Sequence, residues 1–214
     1  MKKNLLICID RDNTLIYDNK YFLGRTLDWK SKIKILKGVV QGLKKLRTLE
    51  KKRNLKIHMI TNQSGIAIAD FPLLNTKRAE YVCKHILNLL KSKGAKLDGF
   101  SMCEFVTQSY VERHPQYNFD PKHVGDYACT KPRTGMVKDS LKKSNFKLKD
   151  TQIYVLGDRA SDVKTALNIK GFGILIPKYP ELAEVKKTKA LKSEHTYIAK
   201  DFLGAVNFIV KRES

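Results

Sequence analysis

Leu5-Leu6-Ile7-Cys8-Ile9-Asp10-Arg11-Asp12-Asn13-Thr14 is the stretch whose reading decides the fold. Five apolar residues in a row, ending abruptly in two carboxylates, read as a parallel strand buried on both faces with a polar end. Outward from it, strand and helix patterns alternate. Val39 to Leu49 carries apolar residues at helical spacing, and Lys56 to Ile60 is a second strand that ends at Thr61-Asn62. Thr76 to Lys93 is helical, Phe100 to Val106 is a third strand, and Gly135 to Ser144 opens a further helix. Ile153 to Leu156 is a fourth strand ending at Gly157-Asp158, followed by a helix over Ala160 to Ile169, a strand over Gly173 to Ile176 and a closing helix over Asp201 to Val210. This alternation predicts an α/β fold: a three-layer, Rossmann-like parallel sheet with helices on both faces. No repeat, low-complexity tract or linker divides the chain, so residues 1–214 are expected to form one domain. The stretch from about 104 to 129 contains Pro115, Pro121 and Gly125 and is rich in aromatics and histidine; a loop that long is usually functional or mobile.

The chain has 42% hydrophobic residues, ordinary for a globular protein, and a formal net charge of +21. A field of that sign attracts phosphorylated small molecules and nucleic acid alike. The excess is carried by 33 lysines against nine arginines, however, and the lysines are spread along the chain as on a solvated surface. Only five apolar residues stand between Met1-Lys2-Lys3-Asn4 and Asp10, too few for a signal peptide or a membrane span, so cytoplasmic residence with no membrane contact is expected. Cys8, Cys83, Cys103 and Cys129 are scattered without a CxxC pair, which fits a reducing compartment and predicts no disulfide. The working expectation is a monomer.

Ligands of open parallel sheets collect at the carboxyl ends of the strands. Three predicted strands end there in polar sets: Asp10-Arg11-Asp12, Thr61-Asn62-Gln63-Ser64-Gly65 and Gly157-Asp158-Arg159-Ala160-Ser161-Asp162. Lys131 lies between the last two. Each set alone reads as a turn or a helix cap. Together they would bring several carboxylates and a lysine to one crevice, an arrangement that calls for a cation and an anion between them. Hard oxygen ligands suit Mg²⁺, and the anion it would bridge is phosphate.

The order Asp-x-Asp-x-Thr, Thr-Asn, Lys and Gly-Asp-x-x-x-Asp resembles the haloacid-dehalogenase (HAD)-like phosphatase superfamily. The strings Thr61-Asn62-Gln63-Ser64-Gly65-Ile66-Ala67, Lys131-Pro132 with Gly135-Met136, and Gly157-Asp158-Arg159 are similar to its histidinol-phosphate and heptose-bisphosphate phosphatase branch, over roughly residues 5 to 177. The resemblance implies an Mg²⁺-dependent phosphomonoester hydrolase in which Asp10 is the nucleophile and Asp12 the general acid and base. Asp10, the carbonyl of Asp12 and Asp158 would hold Mg²⁺; Thr61, Asn62 and Lys131 would hold the phosphoryl oxygens. Asp162 would orient Lys131 or a metal-bound water. The substrate implied is a small phosphorylated metabolite, a histidinol phosphate or a sugar phosphate or bisphosphate.

The chain also departs from that pattern. The branch usually carries a zinc loop, of which Cys103 and Cys129 match one ligand of each pair while Phe105 and Tyr127 occupy the partner positions. Two thiolates do not close a tetrahedral site. Unbridged thiols are therefore expected, since zinc would need His114 or His123 at an unfamiliar spacing. Thr130 stands where relatives have an arginine that helps bind substrate, leaving Arg133 and Arg159 as candidates for that role, and Asn13 replaces a glycine. Only residues 15 to 60 separate Thr14 from Thr61, so no large cap domain is expected, and specificity would fall to the loops Tyr17–Trp29 and 104–129. A second reading is a polynucleotide 3′-phosphatase, which shares Thr-Asn-Gln-x-Gly-Ile and Lys-Pro-x-x-Gly-Met and would explain the basic charge. A third is a non-catalytic phosphate- or nucleic-acid-binding module.

Overall fold

Strand β1 (Asn4–Asp10) sits inside a six-stranded sheet made with β2 (Asn54–Asn62), β3 (Gly99–Cys103), β4 (Thr151–Gly157), β5 (Phe172–Leu175) and β6 (Thr196–Ile198). The spatial order is β3-β2-β1-β4-β5-β6 and every neighbouring pair is parallel. This computed structural model describes residues 2–18, 22–178 and 182–214; positions 19–21 of the expected Tyr17–Trp29 loop lie outside them.

The period-2 alternation of β1 explains the three layers. Leu5, Ile7 and Ile9 point to one face, where α1 (Val39–Arg47), α2 (Thr76–Ser92) and α7 (Phe202–Glu213) bury Leu43, Ile86, Val206 and Ile209 against them. Leu6 and Cys8 point to the other, against Met136 and Val137 of α4 (Gly135–Lys143) and Ala166 of α5 (Ala160–Asn168). A run apolar at every position is what a strand covered twice requires. Helix α1 can approach α7 closely because position 42 is glycine: a Cβ there would lie 2.7 Å from the Phe202 ring. Local caps agree with the pattern, as Asn75 accepts the Arg78 N–H at the start of α2 and Asp201 accepts that of Gly204 at the start of α7.

Three elements were not anticipated. Strand β6 is three residues long, too short to leave a periodic signal, and α6 (Ala183–Lys189) lies within a lysine run that reads as solvated surface. Helix α3 (Gln108–Glu112) interrupts the long loop, capped by Thr107, whose hydroxyl accepts the Tyr110 N–H. The third strand also stops at Cys103 rather than Val106, because the chain leaves the sheet there to make the long excursion.

The expectation of unbridged thiols is corrected at Cys103 and Cys129, which form a disulfide across 26 residues. Cys103 ends β3, and the chain returns beside it just before Lys131, with the Cα atoms 5.3 Å apart, inside the range a disulfide spans. Spacing in sequence could not reveal this, since the excursion is what brings the two together. As bonded sulfurs they are not thiolates, the form zinc binding needs. The bond, the stacked rings of Phe105 and Tyr127 (centroids 3.6 Å apart) and the bridge between Val106 and Val124 close the base of the excursion. Cys8 and Cys83 are free and buried.

One core group makes folding sensitive to pH. His58 on β2 is 2% exposed; its Nε2 meets the Ser144 hydroxyl at 3.2 Å, and Nδ1 has no partner among the described residues. Burial pushes its pKa down to about 4. Because the folded value is depressed below the ordinary ~6.5, the neutral imidazole's contribution is present above that value and is lost as pH falls toward 4, amounting to roughly 3 kcal/mol when complete. The stability advantage of wild type over His58→Gln should therefore shrink between pH 7 and pH 5 in denaturant titrations. An advantage independent of pH would contradict this.

Candidate active site

The register of the sheet assembles the polar strand ends. Asp10 stands opposite Ile60, so Thr61 lies one residue beyond it on β2; Ile9 stands opposite Leu156, so Gly157 is level with Asp10 and Asp158 just above. Lys131 enters from the returning loop, where its N–H faces the Asn62 side-chain carbonyl at 3.4 Å. Its ammonium then fits between two carboxylates, 2.5 Å from Asp10 Oδ1 and 2.6 Å from Asp162 Oδ1. Asp10, Asp158 and Asp162 are buried, the Lys131 side chain is 7% exposed, and carboxylate oxygens of the three aspartates lie within 4.8 Å of one another.

Three buried carboxylates around one ammonium leave excess negative charge. Burial, opposed by Lys131, and then the neighbouring Asp162, Asp158 and Asp12 hold the Asp10 carboxyl well above its usual range. Burial and Asp162 push Asp158 up to about 7. For Lys131, burial opposes the charge, but Asp10 and Asp162 outweigh it and raise the pKa. The Arg159 guanidinium likewise holds its proton more tightly than usual, against desolvation, through the negative field of Asp158, Asp10 and Asp162. The surplus charge sits where a divalent cation would relieve it.

Asp162 differs from the other two carboxylates in having both oxygens engaged: Oδ1 accepts from Lys131 and Oδ2 from the Arg159 backbone N–H at 3.1 Å. That leaves Asp10 and Asp158 as the side chains with oxygen to offer a metal. Gly157 is required by this packing, since a Cβ there would lie 2.2 Å from the Asp162 carboxyl carbon.

The remaining expected residues are placed less uniformly. Asp12 is at the mouth, but its carboxylate turns to Arg11, whose Nε and Nη2 donate to its two oxygens at 2.8 and 2.9 Å. Thr61 is fully buried, with its hydroxyl 3.5 Å from Asp12 Oδ2. Arg133 is not brought into the cluster by any described contact; it pairs with Asp126 and donates to the Tyr127 carbonyl. The loop rings pack on one another: Tyr110 stacks on His114 at 4.1 Å, and Phe22, Phe71, Tyr117 and Phe119 continue a chain of edge and tilted contacts. Tyr110 also ties the loop to the strand-end set, its hydroxyl 2.9 Å from that of Ser64.

Two site residues were given no role in the sequence. Gln63, 5% exposed, donates to the Thr61 hydroxyl at 2.7 Å and to the Asn62 carbonyl at 3.0 Å. Arg11 is 2% exposed, an unusual place for a guanidinium. Its position between two aspartates at a strand end was the available signal.

Residues 6–208 match the family described as polynucleotide kinase 3 phosphatase. A histidine biosynthesis bifunctional protein HisB from Buchnera aphidicola is 32% identical over 181 residues, which is 84% of this chain and 42% of that protein. The HisB of Campylobacter jejuni is 30% identical over 178 residues, 83% and 42% of the two lengths. The chain thus spans about 42% of the length of these relatives. Among solved structures, a D,D-heptose 1,7-bisphosphate phosphatase from B. bronchiseptica, complexed with magnesium and phosphate, superimposes with TM-score 0.68 at 21% identity over 99% of each chain. A protein from Mesorhizobium loti described as HAD-like phosphatase gives 0.71 at 17% identity, over all of this chain and 89% of its own. With a family match across nearly its whole length and the strand-end site of that fold, the chain belongs to the polynucleotide kinase 3 phosphatase family of the HAD-like phosphatase superfamily.

Proposed function

We propose that the protein hydrolyses phosphomonoesters through a phosphorylated Asp10, with Mg²⁺ as cofactor. The observation that carries this reading is the clamp of Lys131 between Asp10 and Asp162 beside Asp158: a buried nucleophilic carboxylate and its counter-cation in a cluster short of positive charge. The donor set fits the metal, being hard carboxylate oxygen with Asp10 and Asp158 available; the main-chain carbonyl of Asp12 would be a third ligand. When bound, the ion neutralises developing charge on the phosphoryl oxygens.

The protein's residues divide the rest of the work. An Asp10 oxygen attacks phosphorus as the bond to the leaving oxygen breaks, and that oxygen takes the proton of the Asp12 carboxyl. Water then attacks the phosphorus and gives its proton to Asp12, while the Asp10–phosphorus bond breaks to release inorganic phosphate. Thr61, Asn62 and Lys131 orient the transferring group; Arg159, exposed and next to Asp158, is the better placed of the two arginines to meet a second anionic group of the substrate, since Arg133 is paired with Asp126.

Stripping divalent ions with a chelator should lower turnover at least about 100-fold, and added Mg²⁺ should restore it. Activity indifferent to chelation would refute the cofactor assignment. The substrate class we favour is a small phosphorylated metabolite such as histidinol phosphate or a sugar phosphate, in keeping with the HisB relatives. Cleavage at a polynucleotide 3′-phosphate is the second reading, favoured by the family match over 6–208 and by the net charge of +21. Turnover on a panel of histidinol phosphate, sugar bisphosphates and a 3′-phosphorylated oligonucleotide separates them. Preference for the oligonucleotide, falling steeply with salt, would select the second reading. Phosphate binding without turnover of any member would mean a non-catalytic module.

A further inference from the structure

Arg11 is buried beneath the site, yet its guanidinium does not reach the carboxylate cluster that holds Lys131. It spends its fork on Asp12, Nε to Oδ1 at 2.8 Å and Nη2 to Oδ2 at 2.9 Å, while Nη1 rests 4.0 Å from the buried sulfur of Cys83. The Asp12 side chain is still 25% exposed at the mouth, so the pair joins a buried cation to an accessible carboxylate. Removing a guanidinium from water is costly and is offset only by a partner of good geometry. The main chain reinforces the arrangement, since the Arg11 carbonyl accepts the N–H groups of Leu15 and Ile16. Rotation of the Asp12 carboxylate away from this fork would take from a buried cation the carboxylate that accepts two of its N–H groups.

The two carboxylate oxygens are not equivalent. Oδ1 meets only Arg11 among the described residues, whereas Oδ2 also lies 3.5 Å from both the Thr61 hydroxyl and the Gln63 amide. Thr61 is the group expected to hold a phosphoryl oxygen, so Oδ2 is the oxygen turned toward the reacting phosphate. We propose that Arg11 is a positioning residue: its fork holds both oxygens of Asp12 and so fixes the plane of that carboxyl group with the Oδ2 edge toward the leaving oxygen, and later toward the attacking water. This rests on the reading of Asp12 as general acid and base. Lysine cannot replace the fork, because a single ammonium donates from a point and leaves the carboxylate free to turn.

The test uses the full chain with Mg²⁺ and two substrates, an alkyl phosphomonoester and p-nitrophenyl phosphate, whose leaving group needs no proton. Arg11→Lys should lower kcat on the alkyl ester about 100-fold with KM within a few-fold of wild type. The first-turnover release of p-nitrophenolate should stay near the wild-type rate. In an Asp12→Asn background the same change should cost nothing more, since the residue it positions has gone. Equal losses in both backgrounds, or wild-type kcat in Arg11→Lys, would overturn the proposal. Normal turnover by Asp12→Asn alone would instead remove the underlying reading of Asp12. Should Arg11→Lys fail to fold, Asp12→Asn gives a second measurement: the Arg11 Nε–H resonance should shift and exchange faster, and an unchanged signal overturns the clasp.

Discussion

Asp10→Asn is expected to abolish turnover, with kcat falling by on the order of 10⁴ or more, while the protein keeps its fold and does not melt earlier. The amide has the carboxylate's shape but cannot form the acyl phosphate. Stability should be unaffected or slightly higher. Asp10 is one of three buried carboxylates with oxygens within 4.8 Å of one another, and burial together with Asp162 and Asp158 already opposes its charge. Lys131 keeps its second partner, Asp162 at 2.6 Å, so no buried cation is stranded. Steady-state phosphate release and a thermal melt on the same preparation check both halves. Residual activity above roughly 1% of wild type, beyond what the measured chemistry of a lost nucleophile allows, would remove Asp10 from that role.

Lys131→Met is expected to behave differently, because it damages catalysis and folding together. Without the ammonium, the transferring phosphoryl group loses a donor, an effect of about 10³ on kcat. Asp10 and Asp162, both nearly inaccessible, lose the cation that lay 2.5 and 2.6 Å away. Removing one member of a buried ion pair costs about 3–5 kcal/mol, since the survivor remains charged and unsolvated. The deficit should depend on pH in a definite sense. A stranded carboxylate has a raised folded pKa, so its neutral form is tolerated at low pH and its charge becomes costly as pH rises. The stability gap between wild type and Lys131→Met should therefore widen from pH 5 to pH 8 in urea titrations. A gap that narrows over that range would mean that the ammonium does not compensate these carboxylates. The opposite stability outcomes of the two variants distinguish an overcrowded anion from its indispensable counter-ion.

The interior of the long excursion has its own consequence for substrate choice. Its aromatic rings are engaged with one another and with Phe22 and Phe71, and Arg25 lies over the latter two rings at 5.9 and 5.2 Å. They are packed on one another rather than presented as separate stacking surfaces. This arrangement agrees better with a fixed mouth for a small molecule than with a platform that receives successive bases. Among the described residues no helix is long and apolar enough to cross a membrane.

Much of this protein could be read from the chain alone, and the reason is local. An apolar run of strand length ending in charge, repeated along the chain and separated by helical periodicity, points to a parallel sheet covered on both faces, because the intervening helices must cross over the sheet and bury Leu5 to Ile9 on two sides. The same punctuation placed Asp10, Thr61 and Asp158 at strand ends, where sheet register must bring them together. Short elements such as β6 escaped, since three residues carry no period. What only the tertiary structure decided depends on side-chain direction and on long returns of the chain. The bond between Cys103 and Cys129 exists because a 26-residue excursion closes on itself. Arg133 is drawn into that loop by Asp126, whereas Arg159 stands exposed one residue beyond Asp158. The turn of Asp12 toward Arg11, rather than toward the carboxylate cluster, is set by a buried guanidinium in need of a partner, and no spacing along the sequence encodes it.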